Sequence, residues 1–307
     1  MISKNPRIGF IGFGEVAYYF SKGLKEAGIK RIVTYDKAVA EPIYGEIIRN
    51  RAQSADVELT PTLEESVTSS ELVVSAVWGN VALEVAGEAA HFISPGKIFA
   101  DLNNTAPSAK KQGAEAINAK GAKFVDIGLF ASPAQVGHKA FMYASGDGAE
   151  EFKAVMSRYG VNIEVVPGEA GKATTIKTLV NIYYKGIQAL YLELAVSARK
   201  VGLDLGALGP LLIKPVATVP REKEMAFWIV RGGLHAERKT AELQGIIEAM
   251  KEWGIEPIMM EAARKRLNLI ARYRLKDYLK AELPLEDYQT MLEAIDKIGE
   301  ERKIDLK

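Results

Sequence analysis

The stretch that decides the fold of the first half of the chain is Arg7-Ile-Gly-Phe-Ile-Gly-Phe-Gly-Glu-Val-Ala17. Within it, Gly12, Gly14 and Ala17 have the spacing of the pattern G-x-G-x-x-G/A, in which each small residue has its own task. The first glycine allows a tight turn out of a strand, the second lets a pyrophosphate approach the backbone, and the alanine lets a helix pack close to the strand. The N–H groups at the start of such a helix face the anion.

The residues around this turn supply the other parts of a dinucleotide-binding βαβ unit. An apolar run at 8–11 predicts the strand before the turn, and helical spacing predicts a helix from Val16 to Ala27. A second strand follows at 31–36. Its last residue, Asp36, lies 22 positions after Gly14, near the place where an acid binds a ribose 2′-OH. The order of these parts favours a Rossmann-type unit.

This unit also predicts the cofactor. Asp36 would repel the 2′-phosphate of NADP, so we expect NAD, with NADP less favoured, although the adjacent Lys37 softens that preference. The alternative for Asp36 is an acid that stabilises a turn after a strand. The predicted cofactor contacts in the first half of the chain are Gly12, Phe13, Gly14, Glu15, Val16, Asp36, Val77 and Trp78.

Composition sets limits on the other classes of function. A length of 307 residues suggests about two domains, and a net charge of +1 argues against a nucleic-acid-binding surface. The chain has no cysteine, which excludes disulfides and thiolate chemistry, and its three histidines are far apart, so no metal site is expected. No signal-peptide pattern and no apolar run of membrane-spanning length occur in the sequence, and we expect a cytoplasmic protein with no membrane partner.

The pattern of apolar residues changes near Pro167. Before it, strand-like and helix-like segments alternate, which predicts a mostly parallel sheet covered by helices. After it, the pattern is helical. The predicted fold class is therefore α/β, with a Rossmann-type domain at 1–167 followed by an all-helical domain at 168–307. The further strands are predicted at 57–59, 72–77, 97–102, 123–127, 141–145 and 161–166, with helices at 80–92 and 106–120. The later helices are predicted at 172–201, 205–213, 220–229, 235–253, 257–279 and 285–302.

The long helix predicted at 172–201 has a polar stripe on one face. At 100° per residue, the stripe contains Thr174, Lys177, Asn181, Tyr184 and Gln188. The plainer interpretation is the solvated face of an amphipathic helix. The functional interpretation is that a lysine exchanges a proton with a substrate oxygen that the neighbouring asparagine holds.

Four motifs, in order along the chain, resemble those of the β-hydroxyacid dehydrogenase family, which includes 3-hydroxyisobutyrate and 6-phosphogluconate dehydrogenases. The first is the glycine turn already described. The second is Asp101-Leu-Asn-Asn-Thr-Ala-Pro107, which is similar to the substrate segment D-x-[S/N]-[T/S]-x-x-P. The third is Asp126-Ile-Gly-Leu-Phe-Ala-Ser132, and the fourth, with the catalytic spacing G-x-x-G-x-x-x-x-x-K-x-x-x-N, runs from Gly168 to Asn181.

The resemblance implies roles for residues in these motifs. Lys177 would be the general acid or base and Asn181 its partner. Asn103 and Asn104 would contact substrate or nicotinamide. The third motif would contribute further substrate contacts, which are Phe130, Ala131 and Ser132.

The last third of the chain resembles a subgroup of this family with a helical domain of unknown function, at His235-Ala-Glu-Arg-Lys-Thr-Ala-Glu242. Here we predict that His235 and Arg238 bind substrate and that Lys239 binds the cofactor. The alternative is that all three are solvated groups near a helix start.

Two departures from the family pattern bear on the substrate. Phe130-Ala131-Ser132 stands where many members have Ser-Gly-Gly, and Asn103-Asn104 stands where many have Ser-Thr. A phenylalanine is larger and cannot hydrogen-bond, which favours a bulkier or less polar substrate than 3-hydroxyisobutyrate. The alternative for Phe130 is a core aromatic after a strand.

The function expected from the sequence is an NAD-dependent oxidoreductase that transfers a hydride between nicotinamide and a β-hydroxy acid or related alcohol. Two alternatives stay open. One is an imine reductase-like enzyme, although that group usually replaces the lysine found here at 177. The other is a non-catalytic NAD(H)-binding sensor. Apolar faces in the helical half favour a homodimer or higher homo-oligomer.

Overall fold

The first half of the chain forms one eight-stranded sheet in the order β3-β2-β1-β4-β5-β6-β7-β8. All neighbouring strands pair in parallel except β6 and β7, which are antiparallel. The mostly parallel sheet predicted from the alternating pattern is confirmed. The strands are β1 (Ile8–Ile11), β2 (Ile32–Tyr35), β3 (Glu58–Leu59), β4 (Leu72–Ser75), β5 (Ile98–Asp101), β6 (Lys123–Leu129), β7 (Met142–Ser145) and β8 (Ile163–Val165).

The structure, a computed structural model, describes residues 2–213, 220, 223–279, 283–284, 287–302 and 304. It divides into two compact units, Met1–Ile182 and Tyr183–Lys307. The division falls inside a 29-residue helix, α8 (Lys172–Lys200). The boundary predicted at residue 167 precedes the start of this helix.

Seven α-helices lie wholly within the described part of the first unit, in addition to the first turns of α8. Those near 16–27, 80–92 and 106–120 match predictions, whereas four helices were not predicted, at Pro42–Ser54, Leu63–Thr68, Pro133–Val136 and Ala149–Met156. In the first of these four, Ile43 and Tyr44 are exposed and Ile48 is buried. The helices are α1 (Glu15–Glu26), α2 (Pro42–Ser54), α3 (Leu63–Thr68), α4 (Ala82–Ala89), α5 (Pro107–Asn118), α6 (Pro133–Val136) and α7 (Ala149–Met156).

Both faces of the sheet are buried. On β4, Leu72 and Val74 belong to one apolar cluster, while Val73 between them belongs to the cluster on the opposite face. On β5, Ile98 and Phe99 divide in the same way. Continuous apolar runs of this kind are typical of parallel strands with helices on both sides.

The regular elements among the described residues of the second unit are all helices. The prediction of a single helix at 257–279 is wrong. The helix ends at Ala271, and Arg274, before the next helix, has a positive φ of 50°. The helix predicted at 220–229 lies at Glu224–Leu234, and residues 221–222 and 285–286 of the predicted helices lie outside the described part. After α8 the helices are α9 (Leu205–Ile213), α10 (Glu224–Leu234), α11 (Ala236–Glu252), α12 (Ile258–Ala271), α13 (Leu275–Leu279) and α14 (Tyr288–Arg302).

A separate apolar core holds part of this second unit together. Val230 of α10 packs with Leu275 of α13 and with Met291 and Ile298 of α14, and all four side chains are at most 2% exposed. Among the helices that the structure describes, none combines the length and the apolar character needed to cross a membrane.

Candidate cofactor and proton-transfer site

The glycine turn between β1 and α1 has the geometry that the sequence pattern requires. Gly12 has a φ of +85°, and a Cβ added there would lie 2.6 Å from the carbonyl oxygen of Ala76. Gly14 has an ordinary φ of −70°, and a Cβ added to it would meet open space. No side chain caps the first N–H groups of α1. These donors therefore remain available to an anion that approaches Gly14.

Asp36 is bound on both carboxylate oxygens. Its Oδ2 accepts a hydrogen bond from the Phe13 N–H at 2.7 Å, and its Oδ1 accepts one from the Ala38 N–H at 2.9 Å. It thereby ties the glycine turn to β2 and caps a short 3-10 turn at Lys37–Ala40. These bonds fit the turn-acid interpretation. Because a carboxylate oxygen has two lone pairs, they leave room for a ribose hydroxyl, and that role stays a prediction.

A cavity of about 790 Å³ opens beside these residues, at the carboxyl ends of β1, β2 and β4. Its volume is in the range of cofactor sites, and its position at this edge of a parallel sheet is where such folds bind ligands. It is lined by all eight residues of the first unit that were predicted to bind the cofactor. Sequence reasoning missed other wall residues, several of them in or beside α2. Among them are Tyr35, Ala38, Glu41, Tyr44, Ile47, Arg51, Leu63, Val81 and Val85.

The loop after β4 forms one wall of this cavity. Trp78 in this loop is 84% exposed. The preceding Val77 donates its N–H to the Oδ1 of Asn103 at 2.6 Å, and the Nδ2 of Asn103 donates to the Ser75 hydroxyl at 2.9 Å. Asn103 is 4% exposed, so its side chain fixes this loop from within the protein. Its predicted contact with substrate or nicotinamide is untested, as is that of the exposed Asn104.

The first turn of α8 is anchored to the sheet by a buried carboxylate. Asp126, in the middle of β6, accepts hydrogen bonds at Oδ2 from the N–H groups of Gly171 and Thr174, at 2.9 and 3.0 Å. The Thr174 hydroxyl donates to Oδ1, and the Ser145 hydroxyl of β7 donates to Oδ2. A negative group is favourable at this position because the unpaired N–H groups of a helix start carry partial positive charge.

A lysine with no exposed surface connects this carboxylate to the next strand. Lys110 of α5 lies 3.0 Å from the Oδ1 of Asp101 and 3.5 Å from the Oδ1 of Asp126, measured from its Nζ. It also donates to the Asp101 carbonyl oxygen at 2.8 Å. Both acids are buried, so β5, α5, β6 and α8 meet at one ionic cluster, Asp101–Lys110–Asp126. The resemblance identified the two acids as parts of motifs, but the lysine was not singled out.

Lys177 lies one turn after Thr174 on α8 and is half-buried. Burial is the largest cause that lowers the pKa of Lys177, the positive charge of Lys110 lowers the pKa further, and the negative charge of Asp126 raises it in part. Asn181 follows one turn later and is partly exposed. A lysine with a lowered pKa carries more neutral amine at a given pH than an ordinary lysine does, and the neutral amine is the form that acts as a general base.

Phe130 lies just beyond β6 in an aromatic group. Its ring centroid is 6.0 Å from that of Phe141 and 5.4 Å from that of Tyr143. These contacts fit the interpretation of Phe130 as a packing residue. Ala131 and Ser132 follow in the same loop, and Ser132 is exposed. The substrate contacts predicted for these three residues stay predictions.

His235, Arg238 and Lys239 belong to the second unit, at the start of α11. Partial burial and the neighbouring cations lower the pKa of His235. Arg238 pairs with Glu242 at 3.4 Å on the surface, and the Lys239 ammonium lies 5.7 Å from the ring centroid of Trp228. The predicted roles of these residues in binding substrate and cofactor are untested.

Sequence comparison with known proteins finds a family match over the sheet region and two relatives. Residues 7–168 match the family model described as the NAD binding domain of 6-phosphogluconate dehydrogenase. An uncharacterized 28.5 kDa protein of Methanothermus fervidus is 28% identical over 265 residues, which cover 84% of this chain and 96% of that protein. An NADPH-dependent reductive aminase of Aspergillus oryzae is 26% identical over 155 residues, 50% of each chain.

Solved structures extend the similarity over most of the chain. The conserved protein MTH1747, of unknown function and structurally similar to 3-hydroxyacid dehydrogenases, is 31% identical with a TM-score of 0.56, covering 88% of this chain and 98% of that one. The reductive aminase of Aspergillus terreus, in complex with NADPH and ethyl-5-oxohexanoate, has a TM-score of 0.72 at 18% identity, covering 94% of this chain and 99% of that one. At that identity, the second match shows a shared fold alone.

Proposed function

Because this chain belongs to the family with the NAD-binding domain of 6-phosphogluconate dehydrogenase, we propose that it is an NAD-dependent oxidoreductase for a β-hydroxy acid or related alcohol. The family makes the chain an NAD(P)-binding oxidoreductase-like protein. The substrate class and the preference for NAD are the proposal. Bound NAD would accept the hydride at C4 of its nicotinamide.

The observation that carries the proposal is the setting of Lys177. The neutral amine of Lys177 would take the proton of the substrate hydroxyl as the hydride leaves the carbon that bears this hydroxyl. In the reverse direction, the ammonium would return the proton. Its lowered pKa supports this exchange. Asn181, one turn away, would hold the same substrate oxygen with its amide N–H.

The cofactor would bind in the 790 Å³ cavity. The open space at Gly14 and the uncapped start of α1 suit a pyrophosphate. Asp36 on the cavity wall supports NAD, whereas Lys37 and Arg51 on the same wall would favour a 2′-phosphate. The Aspergillus terreus relative carries NADPH, so NADP is the alternative that the cofactor measurements must address.

A second candidate is a reductase of imines, with the reductive aminases as its support. The hydride would then pass from the cofactor to an imine carbon. Lys177 counts against this candidate, because the imine reductases that this fold resembles usually replace that lysine. A non-catalytic NAD(H) sensor is the third candidate, and it leaves the setting of Lys177 without a use.

We also propose that the chain is a homodimer in the cytoplasm. Large apolar side chains on α8 are exposed, and such a surface is normally covered by a partner. A second copy is the proposed partner. The exposed side chains in the part of α8 that belongs to the second unit are Tyr183, Tyr184, Leu190, Tyr191, Leu192 and Val196.

The test is a panel of reactions with purified full-length chain. β-Hydroxy acids and related alcohols are offered with NAD and with NADP, and ketone–amine pairs are offered with NADH and with NADPH, while absorbance at 340 nm is followed. The proposal expects turnover of a hydroxy acid or alcohol with NAD. Turnover of ketone–amine pairs alone supports the imine candidate, and NADH binding without turnover of any compound supports the sensor.

A further inference from the structure

Lys110 is a buried cation to which the proposed chemistry gives no direct part. It has no exposed surface, and Asp101 and Asp126 are 3% and 0% exposed. Taking three charges out of water costs several kcal/mol per ion, and apolar residues of similar volume are often no less stable. Stability alone is therefore a poor explanation for an ionic cluster at this position. The cluster lies directly beneath the helix turn that precedes Lys177.

The cluster is hydrogen-bonded to the turn of α8 that precedes Lys177. Asp126 binds both the N–H and the hydroxyl of Thr174. Residues three apart on a helix share a face, with their Cβ atoms about 5–6 Å apart, so Lys177 projects from the face that Thr174 presents to the cluster. Lys110, held by Asp101, keeps Asp126 in place from the opposite side.

The cluster also presents two opposite charges to Lys177. They are the ammonium of Lys110 on α5 and the carboxylate of Asp126 on β6. The carboxylate accepts four hydrogen bonds from Ser145, Gly171 and Thr174, which disperse its negative charge. The Lys110 ammonium donates to the Asp101 carbonyl oxygen and lies 3.0 and 3.5 Å from carboxylate oxygens of Asp101 and Asp126.

We propose that Lys110 is a positioning residue for Lys177: held by Asp101 and Asp126, it fixes the start of α8 and sets a buried positive charge beneath the turn from which Lys177 projects. The inference deepens the proposed function and rests on Lys177 as the proton-transfer group. Under this proposal, the motifs that contain Asp101 and Asp126 together hold in place the motif that contains Lys177. A cluster with a purely structural role would hold the helix. It would not make the pKa of Lys177 move in one direction when a positive charge is removed and in the other when a negative charge is removed.

The test reads the titration of Lys177 directly. Lysines of the full-length chain are reductively methylated with ¹³C-formaldehyde, and the methyl signals are followed by NMR against pH. The signal that is missing in Lys177→Arg assigns Lys177. Lys110→Met should move the pKa of Lys177 upward, and Asp126→Asn should move it downward. A structural role alone would not give shifts of opposite sign.

Two further variants control for misfolding and for the loss of hydrogen bonds around Asp126. Lys110→Met combined with Asp101→Asn removes the buried pair as a unit, keeps Asp126 with its hydrogen bonds, and should again raise the pKa of Lys177. Ser145→Ala is the matched control, because it removes a hydrogen bond to Asp126 and one from the Ala173 N–H without changing any charge. It should lower the melting temperature and move the pKa of Lys177 less than either Lys110→Met or Asp126→Asn does.

The outcomes separate this inference from the proposed function. If the Lys110 variants leave the titration of Lys177 where it is in wild type, or shift it downward, the inference is overturned. The NMR measurement needs no substrate, so it stands even if no hydroxy acid is turned over. If Lys110→Met moves the pKa of Lys177 as expected while Lys177→Ala keeps full turnover, the inference holds and the proposed role of Lys177 in catalysis fails.

Discussion

At the residue scale, the half-buried amine of Lys177 has two charged neighbours, Lys110 and Asp126. Removing this amine should affect turnover without affecting cofactor binding. Lys177→Ala should lose roughly 100- to 10,000-fold in turnover, the usual contribution of general acid–base catalysis, and keep its affinity for NADH. Turnover is measured with the substrate found in the panel, and affinity by NADH fluorescence. Wild-type turnover in this variant would exclude the proposed role.

The pH dependence of the same reaction follows from the charge state of Lys177. Alcohol oxidation needs the neutral amine, so its rate should rise with pH through the pKa of Lys177. Burial and Lys110 lower that pKa, so the rise should come at a lower pH than for an ordinary lysine. The profile is measured as kcat/KM from pH 6 to 10. The Lys177→Arg variant should lack this rise in kcat/KM. If its profile equals that of the wild type, the rise belongs to another titrating group.

Asp36 should decide between the two nicotinamide cofactors. Asp36→Ala should weaken NAD more than NADP, because it removes a partner of the ribose hydroxyl and also a repulsive charge near a 2′-phosphate. Both affinities should fall somewhat as well, since the bonds to Phe13 and Ala38 are lost. Dissociation constants for both cofactors check this. Equal affinities in the wild-type chain would contradict the assignment.

At the element scale, the turn between β1 and α1 offers a matched pair of glycines. Gly14→Ala should fold normally, because the added methyl group meets open space, yet bind NADH at least about tenfold more weakly, because that space receives the pyrophosphate. Gly12→Ala should lose stability as well, from its positive φ and the carbonyl oxygen of Ala76. Melting temperature and NADH affinity test both, and unchanged affinity in Gly14→Ala would argue against a pyrophosphate there.

The start of α8 provides a second matched pair at this scale. Thr174→Val removes a buried hydroxyl from Asp126 and should cost about 1–3 kcal/mol in the free energy of unfolding. Thr175→Val, the control, removes an exposed hydroxyl that bonds the Gly171 carbonyl oxygen within the helix and should cost less than about 1 kcal/mol. Urea unfolding measures both. Equal losses would mean that the bond to Asp126 does not anchor the helix.

Prediction at this scale succeeded where the pattern was regular. The eight strands were found as short apolar runs between turns, and α1, α4, α5 and α8 were found from the helical spacing of their apolar residues. Helix α2 was missed because it turns apolar residues toward a cavity that a cofactor would fill, and with it Tyr44 and Arg51 were missed. The break at Arg274 was missed because a left-handed residue that is neither glycine nor asparagine gives no signal in sequence.

At the scale of the whole molecule, the exposed apolar part of α8 predicts self-association. Leu192→Asp places a charge on that surface and should convert a dimer into a monomer. Ile43→Asp on α2, at an equally exposed apolar residue, is the control and should leave the dimer intact. Sedimentation equilibrium measures the mass. A wild-type chain that stays monomeric at micromolar concentration would contradict the proposed homodimer.

The sequence by itself determined the features that depend on neighbours along the chain. The glycine turn, the change from alternating to helical pattern, and the placing of Lys177 and Asn181 on one helix face are all short-range, because they follow from φ/ψ preference and from fixed periods. The tertiary structure alone decided what meets across elements. Asn103 holds Val77, and Lys110 joins Asp101 to Asp126, because strands and helices far apart in sequence come together. Charges buried at such a meeting act strongly because little water remains to screen them.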